Sequence, residues 1–366
     1  MKKGLIICST PYQVMVGIIL RMQCFEKGDL VDFILTDTFA KYDQVASRIA
    51  SLGICRNVYA VKMKHIMLPQ NVLEKIRKMD YLLRFVSGTE KVMGTEIDEY
   101  DEMFFNCEEI FTYNMMSILR FKNKACKIYR YEEGYSSYSL EYSSSTKSEK
   151  LVNFRNRLVN KNLKIDLDGF FLFEPELAIH KYPYPLLCID RNVVKNAEYR
   201  KCISDIFQTE QIAQTYNRKY IIFEESFFTD GFDIDDMELY TTLVNNIGPE
   251  KVSVKLHPRT VQNRFESLSV DIHEKEGVPW EAILLTKTFP HTTLFALASG
   301  SVINSRLLLG DSTTACLLYK CLKKCPPALD ENFELFLEGF QRKYNNAVIV
   351  PADYLELQKL TEEMEA

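Results

Sequence analysis

"GLIICSTPYQVMVGIIL", residues 4–20, is the stretch that decides which fold to expect. Residues 4–8 have the length and apolar composition of a buried strand, and a short polar segment follows them. From Pro11 onward, apolar residues such as Val14 and Ile18 recur at helical spacing, and proline is favoured in the first turn of a helix. The stretch therefore predicts a strand followed by a helix, rather than a signal peptide or a membrane span.

The same alternation of strand and helix continues along the chain. Between the strand candidates, apolar residues return at helical spacing, for example at Val72, Ile76, Met79 and Leu83. This order is typical of a parallel, doubly wound α/β sheet. The predicted strands are 4–8, 31–36, 57–62, 102–106, 126–131 and 170–177 in a first series, and 219–226, 251–258, 269–274, 297–304 and 347–351 in a second. Helices are predicted at 236–246, 279–286, 311–323 and 352–364 in the second series.

The length of 366 residues is too great for one ordinary hydrophobic core and indicates two domains. The proline-containing segment 180–190 is the predicted boundary. We therefore expect two Rossmann-like domains that face each other across a cleft, at 1–180 and 185–345. Residues 346–366 would form a C-terminal strand and helix tail.

Composition excludes several classes of protein. The net charge is −5, which argues against binding to nucleic acid. Ten cysteines occur without any Cys-x-x-Cys pair, so buried reduced thiols are expected rather than a zinc site. Together with the absence of a recognisable signal peptide, these features predict a cytoplasmic protein.

Two glutamates follow a predicted strand in "KIYRYEEGYSSY", residues 127–138. Adjacent residues at a strand end point in opposite directions, so Glu132 and Glu133 should serve different surroundings. Gly134 permits a sharp turn directly after them. Because ligands of parallel α/β sheets bind at the carboxyl ends of strands, this pair is a candidate site.

A second candidate is "VSVKLHPR", residues 252–259. Lys255 and His257 lie two residues apart, which places them on one face of a strand beside Pro258. A lysine and a histidine there would form a phosphate-binding edge, and histidine can donate a proton near neutral pH. A plain strand end with solvated cations explains the same residues.

Two further segments of the second series have polar groups suited to a nucleotide. Ser299, Gly300 and Ser301 would offer hydroxyl and backbone N–H groups to a phosphate, although such sequences also form ordinary turns. Glu281 could hold a ribose diol, or it could be a glutamate in the first turn of a helix.

Near the N-terminus and in the segment 233–236, the polar residues have two explanations, capping of a helix or binding of a ligand. Thr10 is a good helix cap, while Gln13 in the first turn could bind a sugar of the donor or the acceptor. The sequence "DIDD" at 233–236 imitates a metal-binding Asp-x-Asp, but capping of the following helix explains it.

These segments together resemble bacterial sialyltransferases of the GT-B fold, closest to glycosyltransferase family 52. Two departures occur: glutamates replace the more usual aspartates, which is mild, and Gly300 splits the serine pair, which leaves open whether the hydroxyl of Ser299 or of Ser301 would contact the phosphate. The resemblance spans nearly the whole chain, and the matching segments in order are 10–13, Glu132-Glu133-Gly134, His257-Pro258, 279–281 and the pair Ser299 and Ser301.

The resemblance implies an inverting, metal-independent sialyltransferase that uses CMP-N-acetylneuraminic acid. Glu133 would be the catalytic base in an N-terminal acceptor domain, and Glu132 would support its loop or tune its pKa. Thr10, Gln13, Glu132 and Gly134 would be candidates for contact with the substrate. His257 would assist departure of the CMP phosphate in a C-terminal nucleotide-binding domain. The acceptor would be a terminal galactose of a bacterial lipooligosaccharide or capsule, and no cofactor would be needed.

Two alternatives remain open. The chain could use another nucleotide sugar with a hexose donor, or it could be a GT-B-like binding protein without catalysis. The expected partners are a nucleotide sugar and a glycan acceptor, and the resemblance also allows a homodimer. The helix at 72–86 is expected to be an ordinary surface helix, with peripheral membrane contact as the alternative.

Overall fold

The computed structural model describes residues 1–67, 69–139, 146–159, 166–273, 277–310, 313–326 and 329–365. Within it the chain divides into two compact units. Unit 1 comprises Met1–Glu133, Glu141–Pro175 and His180–Phe207, and unit 2 comprises Gly134–Leu140, Glu176–Ile179 and Gln208–Ala366.

Among the described residues, unit 1 contains a sheet of seven parallel strands: β1 (Lys3–Cys8), β2 (Leu30–Thr36), β3 (Asn57–Val61), β4 (Glu102–Phe105), β5 (Lys127–Tyr131), β6 (Gly169–Leu172) and β7 (Leu186–Cys188). Their order is β3-β2-β1-β4-β5-β6-β7. Both faces of a parallel sheet are covered, which explains the continuous apolar runs of its central strands. The strand order reverses between β1 and β4, and ligands of such folds bind outside the carboxyl ends of the strands near that point.

In the part of the chain that the structure describes, unit 2 contains five parallel strands: β8 (Tyr220–Phe223), β9 (Val252–Lys255), β10 (Asp271–His273), β11 (Thr293–Ala296) and β12 (Thr314–Leu317). Their order is β10-β9-β8-β11-β12, with the reversal between β8 and β11. Each unit therefore has the strand order of a Rossmann-like fold, and the predicted architecture of two such domains is confirmed.

Helices alternate with these strands. Their bounds are α1 (Pro11–Cys24), α2 (Tyr42–Ser51), α3 (Lys64–Met67), α4 (Val72–Leu83), α5 (Phe85–Met93), α6 (Ile110–Lys122), α7 (Ser136–Ser139), α8 (Lys147–Val159), α9 (Ala197–Phe207), α10 (Thr209–Thr215), α11 (Asp236–Ile247), α12 (Trp280–Thr286), α13 (Gly300–Leu309), α14 (Glu331–Lys343) and α15 (Tyr354–Glu365). Helix α9 belongs to unit 1 because its side chains and carbonyls bond there: Tyr199 Oη donates to the Met15 carbonyl, and Arg48 donates to the Ile206 carbonyl.

Three predicted elements of unit 2 are wrong. Residues 347–351 are not a strand, because only Ile349 forms an isolated bridge, to Cys316. Residues 297–304 are not a strand, because β11 ends at Ala296 and α13 begins at Gly300 with Ser299 as its cap. The described part of 311–323 is not a helix but contains β12, whose buried residues pair with β11 and bridge to Ile349. The apolar run within 311–323 is compatible with either period, and pairing with β11 decides the outcome there. Within 297–304, Ser299 and Gly300 interrupt the apolar residues and begin a helix.

Candidate active site

Glu132 lies directly after β5 and is fully buried. Its carboxylate accepts hydrogen bonds from Tyr12 Oη at 3.0 Å and from the Phe173 N–H at 3.0 Å. Its own N–H still donates to the Phe171 carbonyl of β6 at 2.9 Å. These contacts make Glu132 an internal hydrogen-bond acceptor that joins β5 to its neighbours.

Glu133 is only partly buried, and its surroundings favour the neutral acid. Burial raises the pKa of its carboxyl group, while the side chain of Gln13 and the charge of Arg130 oppose part of the rise. A carboxylate with a raised pKa holds a proton more strongly than an ordinary glutamate does, which is the property that a general base requires. Within this pair, Glu132 has structural contacts, and Glu133 is the member with the raised pKa.

The turn after β1 places Gln13 beside this carboxylate. Thr10 caps α1 by accepting a hydrogen bond from the Gln13 N–H at 3.1 Å. The Gln13 side chain is completely buried, and its Oε1 accepts from the Ser9 N–H at 2.6 Å. Its Nε2 has no partner with good hydrogen-bond geometry among the described residues, yet it lies close enough to lower the pKa of Glu133. Gln13 therefore contacts Glu133.

Gly134 occupies a position that only glycine fits. Its φ is +103°, and a Cβ there would lie 2.5 Å from Nδ2 of Asn304. The next residue, Tyr135, donates its N–H to Asn304 Oδ1 at 3.0 Å. Asn304 also hydrogen-bonds to Glu281. Within unit 2, Asn304 therefore joins the glycine of the Glu-Glu-Gly segment to the glutamate of 279–281.

His257 lies just beyond β9 and is partly buried. Its Nδ1 accepts a hydrogen bond from the Arg259 N–H at 3.1 Å, which leaves the ring proton on Nε2. Burial lowers the pKa of His257 to about 4, and the charges of Arg259 and Lys255 act in the same direction. At neutral pH the imidazole is therefore uncharged and can donate a hydrogen bond from Nε2. Pro258, next to it, is exposed.

Lys255 and Glu281 influence each other electrostatically. Lys255 Nζ donates to the Val278 carbonyl at 3.2 Å, just before α12. Burial raises the pKa of Glu281 to about 7, while its hydrogen bond from Asn304 and the charge of Lys255 oppose the rise. Glu281 is buried in the first turn of α12, as the helix interpretation expected, and its contact with a ribose stays a prediction.

The serine-containing segment forms the start of α13. Ser299 is the cap, and its hydroxyl accepts from the Ser301 N–H at 3.3 Å. Gly300 is the first helical residue, and a Cβ there would lie 3.4 Å from Asn304 Nδ2 and 3.8 Å from the Tyr135 ring. The start of a helix attracts anions through its N–H groups and its dipole. The observed helix start therefore favours phosphate binding more than the predicted strand would.

Sequence reasoning missed a second glutamate pair, Glu224 and Glu225, directly after β8. Buried Glu224 accepts from the His257 N–H at 3.2 Å and from the Thr260 hydroxyl. Glu225 accepts from the Ala298 N–H at 2.9 Å. This dipeptide therefore holds both the His257 loop and the loop before α13. The signal was present, because "FEES" at 223–226 repeats the pattern of "YEEG" at 131–134.

The segment 233–236 is occupied by contacts to cations and backbone. Asp233 pairs with Lys324 at 2.5 Å, and Asp236 pairs with Arg264 at 2.6 Å. Asp235 precedes α11, but it accepts from the Lys323 N–H at 3.1 Å and makes no side-chain cap bond to the helix. Acidic residues occupy the first turn of α11, as the capping interpretation expected. Among the described residues, however, the Asp235 side chain makes no capping hydrogen bond to this helix.

Comparison with known families gives the site a context. The model of the alpha-2,8-polysialyltransferase family (POLYST) matches residues 4–318. The chain belongs to this family. The predicted relationship to sialyltransferases is thereby confirmed at the level of the alpha-2,8-polysialyltransferases, while membership of glycosyltransferase family 52 stays a prediction. A search of curated proteins found no significant match.

Solved structures support the fold of this alpha-2,8-polysialyltransferase family member. UGT89C1 of Arabidopsis thaliana complexed with UDP has a TM-score of 0.55 at 8% identity, covering 100% of this chain and 91% of the other. The same protein complexed with quercetin gives 0.52 at 9% identity, with 100% and 90% coverage. A spinosyn rhamnosyltransferase, SpnG, complexed with thymidine diphosphate gives 0.49 at 9% identity, with 100% and 90% coverage. The family and the fold together describe a glycosyltransferase of the GT-B class.

One structural finding bears on membrane association of the family member. Among the described residues, no helix combines the length and the apolar composition that crossing a bilayer requires.

Proposed function

We propose that the protein is an inverting, metal-independent sialyltransferase that transfers N-acetylneuraminic acid from CMP-N-acetylneuraminic acid to a glycan. The observation that carries this proposal is Glu133, a partly buried carboxylate of raised pKa at the carboxyl end of β5. Family membership supports the sialyl donor. In the reaction, the acceptor hydroxyl oxygen forms a bond to the anomeric carbon of the sialic acid while the bond from that carbon to the CMP phosphate oxygen breaks.

Glu133 accepts the proton of the acceptor hydroxyl as the new bond forms. The sugar is attacked from the face opposite CMP, so the configuration of the anomeric carbon inverts. The electron pair of the broken bond leaves with the CMP phosphate. Because the base must be ionised before it can accept a proton, burial of Glu133 tunes both its strength and the pH at which it works.

His257 stabilises the departing phosphate. Its neutral ring, with the proton on Nε2, donates a hydrogen bond and does not transfer a proton. The N–H groups at the start of α13 and the hydroxyls of Ser299 and Ser301 complete a site for one phosphate, with Lys255 supplying a positive charge nearby. Since CMP carries a single phosphate, this set suffices without a metal ion.

Glu281 is the proposed ribose contact. A carboxylate can accept hydrogen bonds from both hydroxyls of a ribose, and Asn304 orients the Glu281 carboxylate. This contact exists before and during the reaction, so it contributes to nucleotide affinity more than to turnover.

The donor is tested by thermal unfolding of the full chain with CMP, UDP or GDP. A ligand at about 100 times its Kd stabilises a protein by about 2.7 kcal/mol, so CMP should raise Tm by a few degrees. Stabilisation by UDP alone would contradict the CMP assignment and favour a hexose donor. Stabilisation by CMP without release of CMP from CMP-N-acetylneuraminic acid would favour a binding protein.

Two acceptors follow from different observations. The resemblance of the sequence motifs favours terminal galactose of a lipooligosaccharide or capsule, whereas the family match favours terminal sialic acid, joined through an α2,8 linkage. Incubation of the full chain with CMP-N-acetylneuraminic acid and each acceptor, followed by mass spectrometry, separates them. Equal product yield with and without EDTA is the expected result for a metal-independent enzyme.

A further inference from the structure

Helix α4 in unit 1 presents a row of large apolar side chains to solvent. Val72, Ile76, Met79 and Leu83 are spaced by four, three and four residues, so they share one face of the helix. Val72 is 71% exposed and Leu83 is 70% exposed. These are the same residues whose spacing predicted a helix, and the structure places their common face on the outside.

Helix α8 has a similar row. Phe154 is 65% exposed and Leu158 is 73% exposed, and they lie four residues apart on one face. Leu151, three residues before Phe154, is exposed as well. A single exposed leucine or phenylalanine is common on protein surfaces, but ordered rows on two helices are not.

The two helices are neighbours, fastened by their inner sides. Arg155 of α8 is buried and donates from Nη1 to the Leu82 carbonyl of α4 at 3.1 Å. Its guanidinium carbon lies 4.1 Å from the centre of the Phe85 ring. Asn156 donates to the Ser117 hydroxyl of α6 at 2.9 Å. These inner contacts attach both helices to unit 1, so the outer rows are not required for its packing.

We call the exposed side chains of Val72, Ile76, Met79, Leu83, Phe154 and Leu158 the α4–α8 surface. Positively charged side chains lie on the same two helices, although the whole chain has a net charge of −5. Exposed cations on the two helices are Lys75, Arg77, Lys150 and Arg157.

Acidic groups on the same helices compensate only in part. Asp80 is exposed, but it pairs with Arg84 four residues later at 2.9 Å. Glu74 and Glu149 are partly buried. The helices therefore combine an exposed apolar face with a local excess of positive charge, which is the pattern of a helix that lies in a membrane interface.

We propose that the α4–α8 surface docks the protein onto an anionic phospholipid bilayer, with its apolar side chains inserted at the headgroup boundary. The lysines and arginines beside it contact the lipid phosphates. A second copy of the chain fits less well, because self-docking would bring the cations of both copies together. A polyanionic glycan would match the cations but would gain nothing from Phe154 and Leu158.

Vesicle co-sedimentation of the full chain tests this inference independently of the sialyl donor. The vesicles contain either phosphatidylcholine alone or equal amounts of phosphatidylcholine and phosphatidylglycerol. Binding is expected to be at least about fivefold tighter with phosphatidylglycerol, because each cation near an anionic surface contributes to affinity. The double variant Ile76→Ser with Leu158→Ser should bind at least about tenfold more weakly than the wild type, because two inserted side chains are lost.

The matched control is Leu335→Ser with Leu355→Ser, which removes two exposed leucines from helices of unit 2. Leu355 is 68% exposed, close to the value for Leu158, so both double variants remove comparable exposed apolar area. The control should bind vesicles as the wild type does. All substituted residues are exposed, and an unchanged Tm checks that each variant is folded.

Three results would overturn the proposal. One is equal vesicle binding by both double variants and the wild type. Another is a concentration-dependent dimer in sedimentation velocity that Ile76→Ser with Leu158→Ser abolishes, without vesicle binding by the wild type. The third is retention of the wild type on immobilised polysialic acid with no vesicle binding, which would assign the cations to a glycan.

Discussion

Two Glu-Glu pairs follow buried strands in this protein, one after β5 in unit 1 and one after β8 in unit 2. In each pair the first glutamate is buried and accepts several hydrogen bonds, while the second is partly buried with a raised pKa. The difference lies in the neighbours of the second glutamate. Burial is the largest cause in both, and it raises the pKa of Glu225 to about 8. Hydrogen bonds oppose part of the rise in both carboxyl groups, but the charge of Arg130 lowers the pKa of Glu133, whereas the charge of Asp236 raises that of Glu225.

The same dipeptide at the same kind of position therefore meets a charge of opposite sign in the two units. The pKa of Glu225 is raised to about 8, which favours its neutral form, and its carboxyl group accepts from the Ala298 N–H and the Tyr240 hydroxyl. Glu133 has a cation nearby that helps to keep it ionised, so it can act as a base. Position at a strand end identifies a glutamate as a candidate base, and the charges around it determine how well it can serve as one.

The largest expected effect on turnover distinguishes Glu133 from Glu225. Glu133→Gln removes the proton acceptor at nearly constant size, so kcat should fall about 10²–10⁴-fold while CMP affinity is kept. Glu225→Gln replaces a neutral acid by a neutral amide and should leave kcat nearly unchanged. Steady-state kinetics of CMP release, with CMP binding measured by calorimetry, check both. A similar loss in the two variants would remove the distinction between the pairs.

His257→Ala should give the next largest effect. The departing phosphate loses its hydrogen-bond donor, so kcat should fall about 10²–10³-fold. His291→Ala, which removes an exposed histidine outside the site, is the matched control and should have no effect. Unchanged turnover in His257→Ala would transfer the phosphate role to Lys255 or to the start of α13.

Glu281→Ala should affect binding rather than turnover. Loss of the two ribose hydrogen bonds should weaken CMP about tenfold or more, since each hydrogen bond contributes about 0.5–1.5 kcal/mol. Isothermal titration with CMP measures the affinity, and kcat at saturating donor measures turnover. Collapse of kcat with intact affinity would show that the ribose assignment is wrong.

The first glutamates of the pairs should differ in stability. Glu224 forms an ion pair with Arg264 and accepts hydrogen bonds from the His257 N–H and the Thr260 hydroxyl, whereas Glu132 accepts from the neutral Tyr12 hydroxyl and the Phe173 N–H. Glu224→Gln should therefore cost about 1.5–3 kcal/mol and Glu132→Gln about 0.5–1.5 kcal/mol. Thermal unfolding of both variants gives the ranking, and the reverse order would mean that the Arg264 contact adds little.

Much of the fold followed from sequence because parallel strands are buried on both faces and appear as short apolar runs. The carboxyl ends of those runs correctly placed Glu132, Glu133 and His257 beside strands β5 and β9. The strand predicted at 297–304 is wrong because Ser299 caps a helix that begins at Gly300, a signal within the segment that favours a helix start over a continuous strand.

Periodicity also says which residues share a face, but not what covers that face. Val14 and Ile18 of α1 are buried, whereas Val72 and Ile76 of α4 are exposed, although both pairs have the same spacing. Only the packing of other elements distinguishes them. Glu225 was missed for a related reason: "FEES" reads as the end of a strand, and its importance depends on Ala298, which lies far away in the sequence.

The pH dependence of kcat at saturating CMP-N-acetylneuraminic acid tests the central claim, that Glu133 is the base, most directly. The base must be ionised, and burial raises its pKa, so activity should fall as the pH drops through a value above that of an ordinary glutamate. Glu133→Gln should lose this acidic limb and keep only a low, pH-independent rate, while Glu225→Gln should keep the limb. An acidic limb with the same midpoint in Glu133→Gln would contradict the account.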